Sequence, residues 1–281
     1  MELETFDMED LIKQERMVLT ITHSGYIKRQ PLDVYKQQKR GGKGIIAAST
    51  KEQDFVEDLF VADTHAYILF FTDQGKIHWL KVYHVPEASR QALGKSIANL
   101  LELGENEKIT AFIPVAEFTE GQNLIMTTRK GTVKKTELKA YSRPRKGGII
   151  AITLDGDDEL ITVKKTDGSK QILIATKNGM AIKFDENDVR ATGRSAKGVR
   201  GINLKNDDEV IDMVIGQDEK SLLTITENGY GKQTSIEEYW LIGRGGVGVK
   251  NIICSERNGK VIAIKSLETN DELMFISRKG I

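Results

Sequence analysis

Short runs of apolar residues, each ending in a glycine turn, recur along the 281-residue chain. Each run is rich in β-branched residues and continues beyond its turn into a second stretch, which predicts an antiparallel hairpin. The six runs read LTITHSGYIK at 19–28, LFFTDQGKIH at 69–78, IMTTRKGTVK at 125–134, LIATKNGMAI at 173–182, LTITENGYGK at 223–232 and MFISRKGI at 274–281. Helical periodicity is nearly absent, so the pattern predicts an all-β protein.

The turn glycines mark an internal repeat of about 50 residues. They are Gly25, Gly75, Gly131, Gly179, Gly229 and Gly280, spaced 50, 56, 48, 50 and 51 residues apart. Each repeat is predicted to supply four short strands, which in the fourth repeat are 159–165, 171–176, 180–184 and 199–204. Asn-Gly pairs at 178–179 and 228–229 support the hairpin turns, because glycine accepts a positive φ without a Cβ clash.

A ring of four-stranded blades, which is a propeller-like architecture, accounts for this period. We predict one domain over residues 1–281. Its repeats are placed at roughly 7–53, 54–107, 108–157, 158–207, 208–257 and, as a partial last repeat, 258–281. A β-sandwich with coincidental spacing is the alternative, and six turns in one register argue against it.

The charge of the chain is unevenly distributed. The 41 basic and 41 acidic side chains cancel, which argues against a uniformly basic nucleic-acid binder. Residues 1–15 hold six acids and one base, so the rest of the chain carries 40 bases and 35 acids. The lone Cys254 excludes an internal disulfide, and neither a signal peptide nor an apolar run of roughly 18 residues is found. These features predict a cytoplasmic protein.

A basic residue stands fifteen positions after each of the first five turn glycines. These residues are Arg40, Arg90, Lys146, Arg194 and Arg244. Because a fixed spacing places residues at equivalent points on successive blades, they are predicted to mark one rim of the ring. The residues ten positions after the same glycines are predicted to pack in the core, as are both tryptophans: Tyr35, Val85, Tyr141, Val189 and Tyr239, with Trp79 and Trp240.

These bases lie in the segment between the third and fourth predicted strands of each repeat, which we call the link. The composition of the links also suits phosphate binding. Glycines let a backbone approach a phosphate closely, and lysine and arginine supply the charge. The candidate DNA-binding residues are Gln38, Lys39, Arg40, Gly41, Gly42, Lys43 and Gly44 in the first link, then Arg90, Lys95, Arg143, Arg145, Lys146, Arg194, Lys197 and Arg244. The alternative is that the glycines only turn the chain and the bases only keep the links soluble.

The first link resembles the signature box of the C-terminal domain of the bacterial DNA gyrase A protein. That box is Gln-Arg-Arg-Gly-Gly-(Arg/Lys)-Gly, and here it reads Gln38-Lys39-Arg40-Gly41-Gly42-Lys43-Gly44. The single departure, Lys39 for arginine, keeps the charge. The stretches 10–12, 24–28, 198–201 and 228–232 are also similar to the family, so the resemblance covers the whole chain.

The resemblance implies a six-bladed β-pinwheel, with the last blade incomplete in this chain. It implies that the basic rim binds, bends and wraps duplex DNA without sequence preference, which in gyrase, a type II topoisomerase, supports ATP-dependent negative supercoiling. No catalytic residue, metal site or cofactor is expected here, because the catalytic tyrosine and the sites for ATP and Mg²⁺ belong to other parts of the enzyme.

The resemblance also implies the partners of the chain. These are double-stranded DNA and, in an A2B2 holoenzyme, the rest of the gyrase A protein together with the gyrase B protein. The isolated domain is expected to be a monomer that is associated with the bacterial nucleoid and not with a membrane.

Three other functions remain open at this point. The C-terminal domain of the topoisomerase IV A protein has a related fold and selects DNA segments, but it typically lacks an intact first box. A propeller that serves as a protein-interaction platform would present an apolar or acidic face, which the repeated basic position does not favour. A catalytic propeller would need convergent acid–base or metal-binding residues, and none stand out.

Overall fold

The structure is a computed structural model, which describes residues 8–32, 54–89, 91–217, 220–268 and 271. Within these ranges the regular structure consists of strands and short 3-10 turns. The 3-10 turns are Met8–Leu11, Val82–His84, Ile97–Asn99, Leu138–Tyr141, Glu186–Asp188 and Ile236–Glu238. The all-β prediction is confirmed.

The described strands fall into five antiparallel sheets. They are β1 (Arg16–Thr22), β2 (Tyr26–Pro31), β3 (Val56–Asp63), β4 (Tyr67–Thr72), β5 (Lys76–Lys81), β6 (Lys95–Ser96), β7 (Ile109–Val115), β8 (Asn123–Thr128), β9 (Thr132–Glu137), β10 (Ile149–Ile150), β11 (Leu160–Thr166), β12 (Gln171–Thr176), β13 (Met180–Asp185), β14 (Val199–Arg200), β15 (Val210–Gly216), β16 (Ser221–Thr226), β17 (Gly231–Ser235), β18 (Val249–Lys250) and β19 (Val261–Leu267). In spatial order the sheets are A (β3-β1-β2-β6), B (β10-β5-β4-β7), C (β11-β8-β9-β14), D (β15-β12-β13-β18) and E (β17-β16-β19).

Each sequence repeat supplies strands to two sheets, which differs from the prediction of one blade per repeat. In the fourth repeat, β12 and β13 form the hairpin of sheet D, whereas β11 and β14 are the inner and outer edge strands of sheet C. The predicted strand 199–204 ends at Arg200, where Val199 pairs with Val133 and Arg200 with Thr132. Successive blades are therefore interlocked, because the outer strand of each sheet comes from the following repeat.

The apolar core lies between neighbouring sheets. Four clusters of buried aliphatic and aromatic side chains fill the spaces between sheets A and B, B and C, C and D, and D and E. Strands β3, β7, β11 and β15 surround a cavity of about 560 Å³, which is lined by both apolar and charged side chains, among them Asp58, Lys164 and Asp212. This arrangement of packed sheets around a central cavity agrees with the predicted propeller architecture.

The described residues contain five sheets and not the predicted six blades. Sheet E has three strands, because its fourth strand would have to come from a following repeat, as it does in sheets A to D. The first strand of the partial sixth repeat, β19, completes an edge of sheet E. The predicted hairpin at 274–281 lies outside the described residues.

Candidate nucleic-acid interface

The links between hairpin and outer strand lie along the outer edges of sheets A to D. Each link begins after the hairpin of one sheet. It then runs beside the second hairpin strand of the preceding sheet, which we call the outer hairpin strand. Parallel bridges join Glu87 to Arg29, Ala191 to Lys135 and Leu241 to Lys183. Each link then ends in a two-residue outer strand, namely β6, β10, β14 or β18. Each described link therefore lies at the outer edge of a sheet, and we call these edges together the outer rim.

A glycine at the end of each link allows this close approach. Gly94, Gly148, Gly198 and Gly248 all have a positive φ, between 74° and 93°. A Cβ at these positions would lie 2.3–2.8 Å from the carbonyl oxygen of a residue in the neighbouring hairpin strand, which is β2, β5, β9 or β13. These glycines are thus required by strand packing, which is a reason independent of any phosphate binding by the links.

The same glycines show that the third link is two residues shorter than the others. Arg194 and Arg244 stand four residues before Gly198 and Gly248, whereas Lys146 stands only two residues before Gly148. Lys146 therefore occupies the place that Ala196 has in the next link. The constant spacing of fifteen residues therefore corresponds to a different point of the link at Lys146.

Most of the predicted bases in the described part of the rim face solvent. Lys95, Arg143, Arg145, Lys146 and Lys197 are exposed, while Arg194 and Arg244 are half-buried. No described carboxylate pairs with Lys95, Arg143 or Arg145. Residues Gln38, Lys39, Arg40, Gly41, Gly42, Lys43 and Gly44 of the first link, and Arg90 of the second, lie outside the described residues.

Two of the exposed lysines carry a carboxylate partner. Lys146 Nζ lies 2.9 Å from Glu102 Oε1, and Lys197 pairs with Asp155. The hydrogen bond and the charge of Glu102 raise the pKa of Lys146, so this lysine is a cation across the physiological pH range. Exposed pairs of this kind are weak and can be exchanged for a phosphate.

The two half-buried arginines differ in their contacts. Arg244 donates from Nε to Asp188 O at 2.8 Å and from a terminal nitrogen to Arg200 O at 3.1 Å. Its guanidinium is thus used to hold backbone of the preceding repeat. The guanidinium of Arg194 has no described hydrogen-bond acceptor, whereas its carbonyl accepts a hydrogen bond from Lys134 Nζ.

Four lysines that lie beneath the links were not predicted from the sequence. Lys28, Lys134, Lys135 and Lys183 are all less than 7% exposed, and they donate to carbonyls of the following repeat. Each stands three or four residues after a turn glycine on an outer hairpin strand. That shared position within a buried strand is the signal that could have identified them.

The predicted packing positions are confirmed wherever they are described. Val85, Tyr141, Val189 and Tyr239 are between 0 and 3% exposed, while Tyr35 lies outside the described residues. Trp79 packs against the cluster between sheets B and C and donates to Tyr141 O at 2.8 Å. The packing prediction for Trp240 is wrong, because this residue follows a 3-10 turn at the surface and is 75% exposed.

The described residues contain no group of three His, Cys, Asp or Glu side chains placed to hold a metal ion. His78 instead lies within hydrogen-bond distance of Glu107 Oε1, at 3.1 Å, in a buried pair. Among the helical segments of the described ranges, none has the length and apolar character needed to cross a membrane.

The sequence matches the family described as "DNA gyrase C-terminal domain, beta-propeller" over residues 16–63, 66–116, 122–167, 170–216 and 220–278. The DNA gyrase A protein of Clostridium acetobutylicum is 52% identical over 275 residues, which are 98% of this chain and 33% of that protein. The DNA gyrase A protein of Salmonella typhimurium is 49% identical over 98% of this chain and 31% of its own length. The chain thus spans about a third of the length of these relatives.

Solved structures resemble the fold. The C-terminal domain of DNA topoisomerase IV is 29% identical with a TM-score of 0.79, covering 92% of this chain and 79% of that one. The DNA gyrase A C-terminal domain is 26% identical with a TM-score of 0.69, covering 90% and 83%. The repeated hairpins, the interlocked sheets and the matched residues agree, and the chain therefore belongs to the DNA gyrase C-terminal domain, beta-propeller family.

Proposed function

We propose that this chain binds duplex DNA along its outer rim and bends it, as the C-terminal domain of a DNA gyrase A protein. The observation that supports the proposal is the presence of exposed basic residues in the links on the outer edges of sheets A, B and C. Bases at these points contact phosphates spaced along a curved duplex. Contacts to phosphate carry no sequence information directly, so recognition is largely independent of sequence.

The energy of bending requires several blades to act together. With a persistence length of about 150 bp, a half-turn over roughly 40 bp costs on the order of 11 kcal/mol. When a protein makes roughly 6–10 phosphate contacts, its affinity for DNA falls by a factor of about 10³–10⁵ between low and moderate salt. One link cannot supply this number of contacts, and the proposal therefore includes the box at 38–44 as the anchor and the later links as weaker guides.

The test is a fluorescence measurement of end-to-end distance on a linear duplex of about 150 bp, combined with gel shifts at two salt concentrations. The variant Lys39→Ala/Arg40→Ala/Lys43→Ala should lose tight binding and bending while it keeps its melting temperature. The matched control, Lys108→Ala/Lys165→Ala/Lys205→Ala, removes the same charge from exposed positions outside the links. Equal effects of the two variants would contradict the anchor role of the box.

We propose further that the chain acts within an A2B2 gyrase, with the rest of the gyrase A protein and with the gyrase B protein, to support ATP-dependent negative supercoiling. A sixth blade that uses the hairpin at 274–281, a bacterial cytoplasmic location at the nucleoid and a monomeric isolated domain belong to the same proposal. The ATP, the Mg²⁺ and the catalytic tyrosine are supplied by the other parts of that enzyme. Fusing the chain to a gyrase A protein that lacks this region should restore negative supercoiling in the presence of the gyrase B protein and ATP.

The topoisomerase IV C-terminal domain remains the second candidate, because its solved structure resembles this fold with a TM-score of 0.79. The intact box at 38–44 favours gyrase. The fusion experiment separates the two functions: restored relaxation and decatenation without negative supercoiling would indicate the topoisomerase IV role. A protein-interaction propeller would give no DNA binding in the gel shift.

A further inference from the structure

Two buried lysines hold the backbone of links from beneath. Lys28 on β2 and Lys134 on β9 both stand three residues after a turn glycine and are 1% and 0% exposed. Lys28 Nζ donates to Ser89 O at 3.1 Å and to Ala92 O at 2.9 Å, both in the link that follows the hairpin of sheet B. Lys134 Nζ donates to Ala151 O and to Arg194 O.

Link carbonyls that point towards the sheet need a hydrogen-bond donor, because a buried carbonyl without a partner costs about 1–3 kcal/mol. An ammonium group has three donors and can serve two carbonyls at once. The free energy gained by satisfying these carbonyls must exceed the cost of burying a cation. That cost is seen in the pKa of Lys134, which burial lowers to about 8. The position of Lys134 thus determines where the backbone of Arg194 lies.

Sheet D has a different arrangement at this place in the repeat. The residue equivalent to Lys134 is Ile182, which has no donor in its side chain. There the arginine of the link is itself held by backbone, because the Arg244 guanidinium donates to Asp188 O and Arg200 O of the preceding repeat. The link arginine is therefore fixed through its carbonyl in sheet C and through its guanidinium in sheet D.

We propose that Lys134 is a positioning residue for DNA binding: it holds the carbonyl of Arg194 from beneath and leaves the Arg194 guanidinium available for a phosphate. Arg244, whose guanidinium is bound to backbone of the preceding repeat, is a structural residue and not a DNA contact. This inference rests on the proposed function. The rim consequently binds DNA unevenly, with Arg194 contributing a phosphate contact and Arg244 contributing stability.

The first test compares the two arginines in the otherwise unchanged chain. Arg194→Ala should reduce by about one the slope of log affinity against log salt, which corresponds to roughly a threefold change between 50 and 200 mM salt. Arg244→Ala should leave the slope unchanged and lower the melting temperature. A slope reduced equally by both variants would overturn the proposal, as would a reduction confined to Arg244→Ala.

The second test examines Lys134 directly. Lys134→Met should reduce the salt slope by about one, and adding Arg194→Ala to it should change the slope no further, because the two residues act through one contact. The matched control is Lys183→Met, which removes a buried ammonium that donates to Ile236 O in a 3-10 turn. Additive slope changes for Lys134→Met and Arg194→Ala would show that Lys134 does not act through Arg194.

The outcomes separate this inference from the proposed function. Failure of the unchanged chain to bind duplex DNA at any salt concentration would overturn the proposed function itself. DNA binding with the wrong pattern of slopes would overturn only the role of Lys134. Should Lys134→Met prove unable to fold, as judged by circular dichroism, the comparison of Arg194→Ala with Arg244→Ala still decides the proposal.

Discussion

At the scale of single residues, charges on the rim are partly compensated by nearby acids. Lys146 pairs with Glu102 across 2.9 Å, so the charge of this base is partly neutralised in the structure. Arg143 and Arg145, in the same link, pair with no described carboxylate. A base is therefore best judged by its partners and not by its spacing in the repeat alone.

Replacing Glu102 tests this compensation. Glu102→Gln should increase DNA affinity about twofold at low salt, because it removes a negative charge from the rim and frees Lys146. Fluorescence anisotropy with a labelled duplex measures the effect, and Glu105→Gln, an exposed glutamate without a described ion pair, is the control. An affinity that is unchanged by Glu102→Gln but lowered by Lys146→Ala would show that the ion pair persists in the complex.

The central cavity provides a second prediction at this scale. Burial is the main cause that raises the pKa of Asp212, against the opposing influence of Lys164 and Lys265. A raised pKa means that the ionised carboxylate destabilises the fold at neutral pH, and that this cost disappears as the pH falls through the raised pKa. Asp212→Asn should therefore raise the melting temperature at pH 7, and the gain should shrink towards pH 4.

Thermal unfolding at both pH values checks this expectation. The control is Glu117→Gln, which changes an exposed carboxyl group and should have little effect at either pH. A melting temperature that falls at pH 7 in Asp212→Asn would indicate that the charge of the carboxylate is needed, through its electrostatic attraction to Lys164 and Lys265.

At the scale of the element, the link is held between two hairpins. Its terminal glycine abuts the outer hairpin strand of the preceding sheet, and lysines on that strand donate hydrogen bonds to its carbonyls. The aspartates before the inner strands have a similar local role: Asp208 Oδ1 accepts hydrogen bonds from Asn178 N and Glu209 N. These contacts tie each turn and link to a strand that is distant in sequence.

Gly198→Ala tests the close approach of the link. A Cβ at Gly198 would lie 2.6 Å from Val133 O, and the φ of +93° disfavours any other residue. We expect a loss of at least about 2 kcal/mol in the free energy of unfolding, measured in urea. In the same link, Gly193→Ala should be tolerated, because no atom lies within 4 Å of its Cβ position. Equal losses for the two variants would contradict this explanation.

At the scale of the whole molecule, interlocked sheets give the rim its curvature. Because each outer strand comes from the following repeat, every link lies against the sheet before it, and the bases follow the ring from sheet to sheet. A duplex that contacts several links at once must bend, which no single link could enforce. The wrapping that we propose is thus a property of the assembled ring.

Removing bases from one link should weaken this curvature without unfolding the ring. Arg143→Ala/Arg145→Ala should lower the salt slope by about two and increase the end-to-end distance of bound DNA, because both side chains are exposed and unpaired among the described residues. The control is Lys108→Ala/Lys165→Ala. Unchanged bending by the Arg143/Arg145 variant would remove this link from the DNA path.

The hairpins could be predicted closely because they depend on local chemistry. The predicted strand 171–176 is observed unchanged, and 180–184 is extended by one residue. The core positions ten residues after the turn glycines could be predicted equally well, since apolar side chains at a repeated position must share one environment. The site was predicted less completely. The third link is two residues shorter than the others, so Lys146 is not equivalent to the other four bases, and the Arg244 guanidinium is bound to backbone.

The amino-acid sequence alone determined the repeat, the hairpins and the basic links, because each arises from neighbours within a few residues. Tertiary structure decided which sheet receives each outer strand, since Val199 could pair with any exposed edge until the preceding sheet was present. It also decided which bases are free. A lysine on an outer hairpin strand becomes a buried hydrogen-bond donor only when the following repeat packs against it. In the same way, contacts with another repeat decide whether the guanidinium of a link arginine is bound to backbone or left without an acceptor.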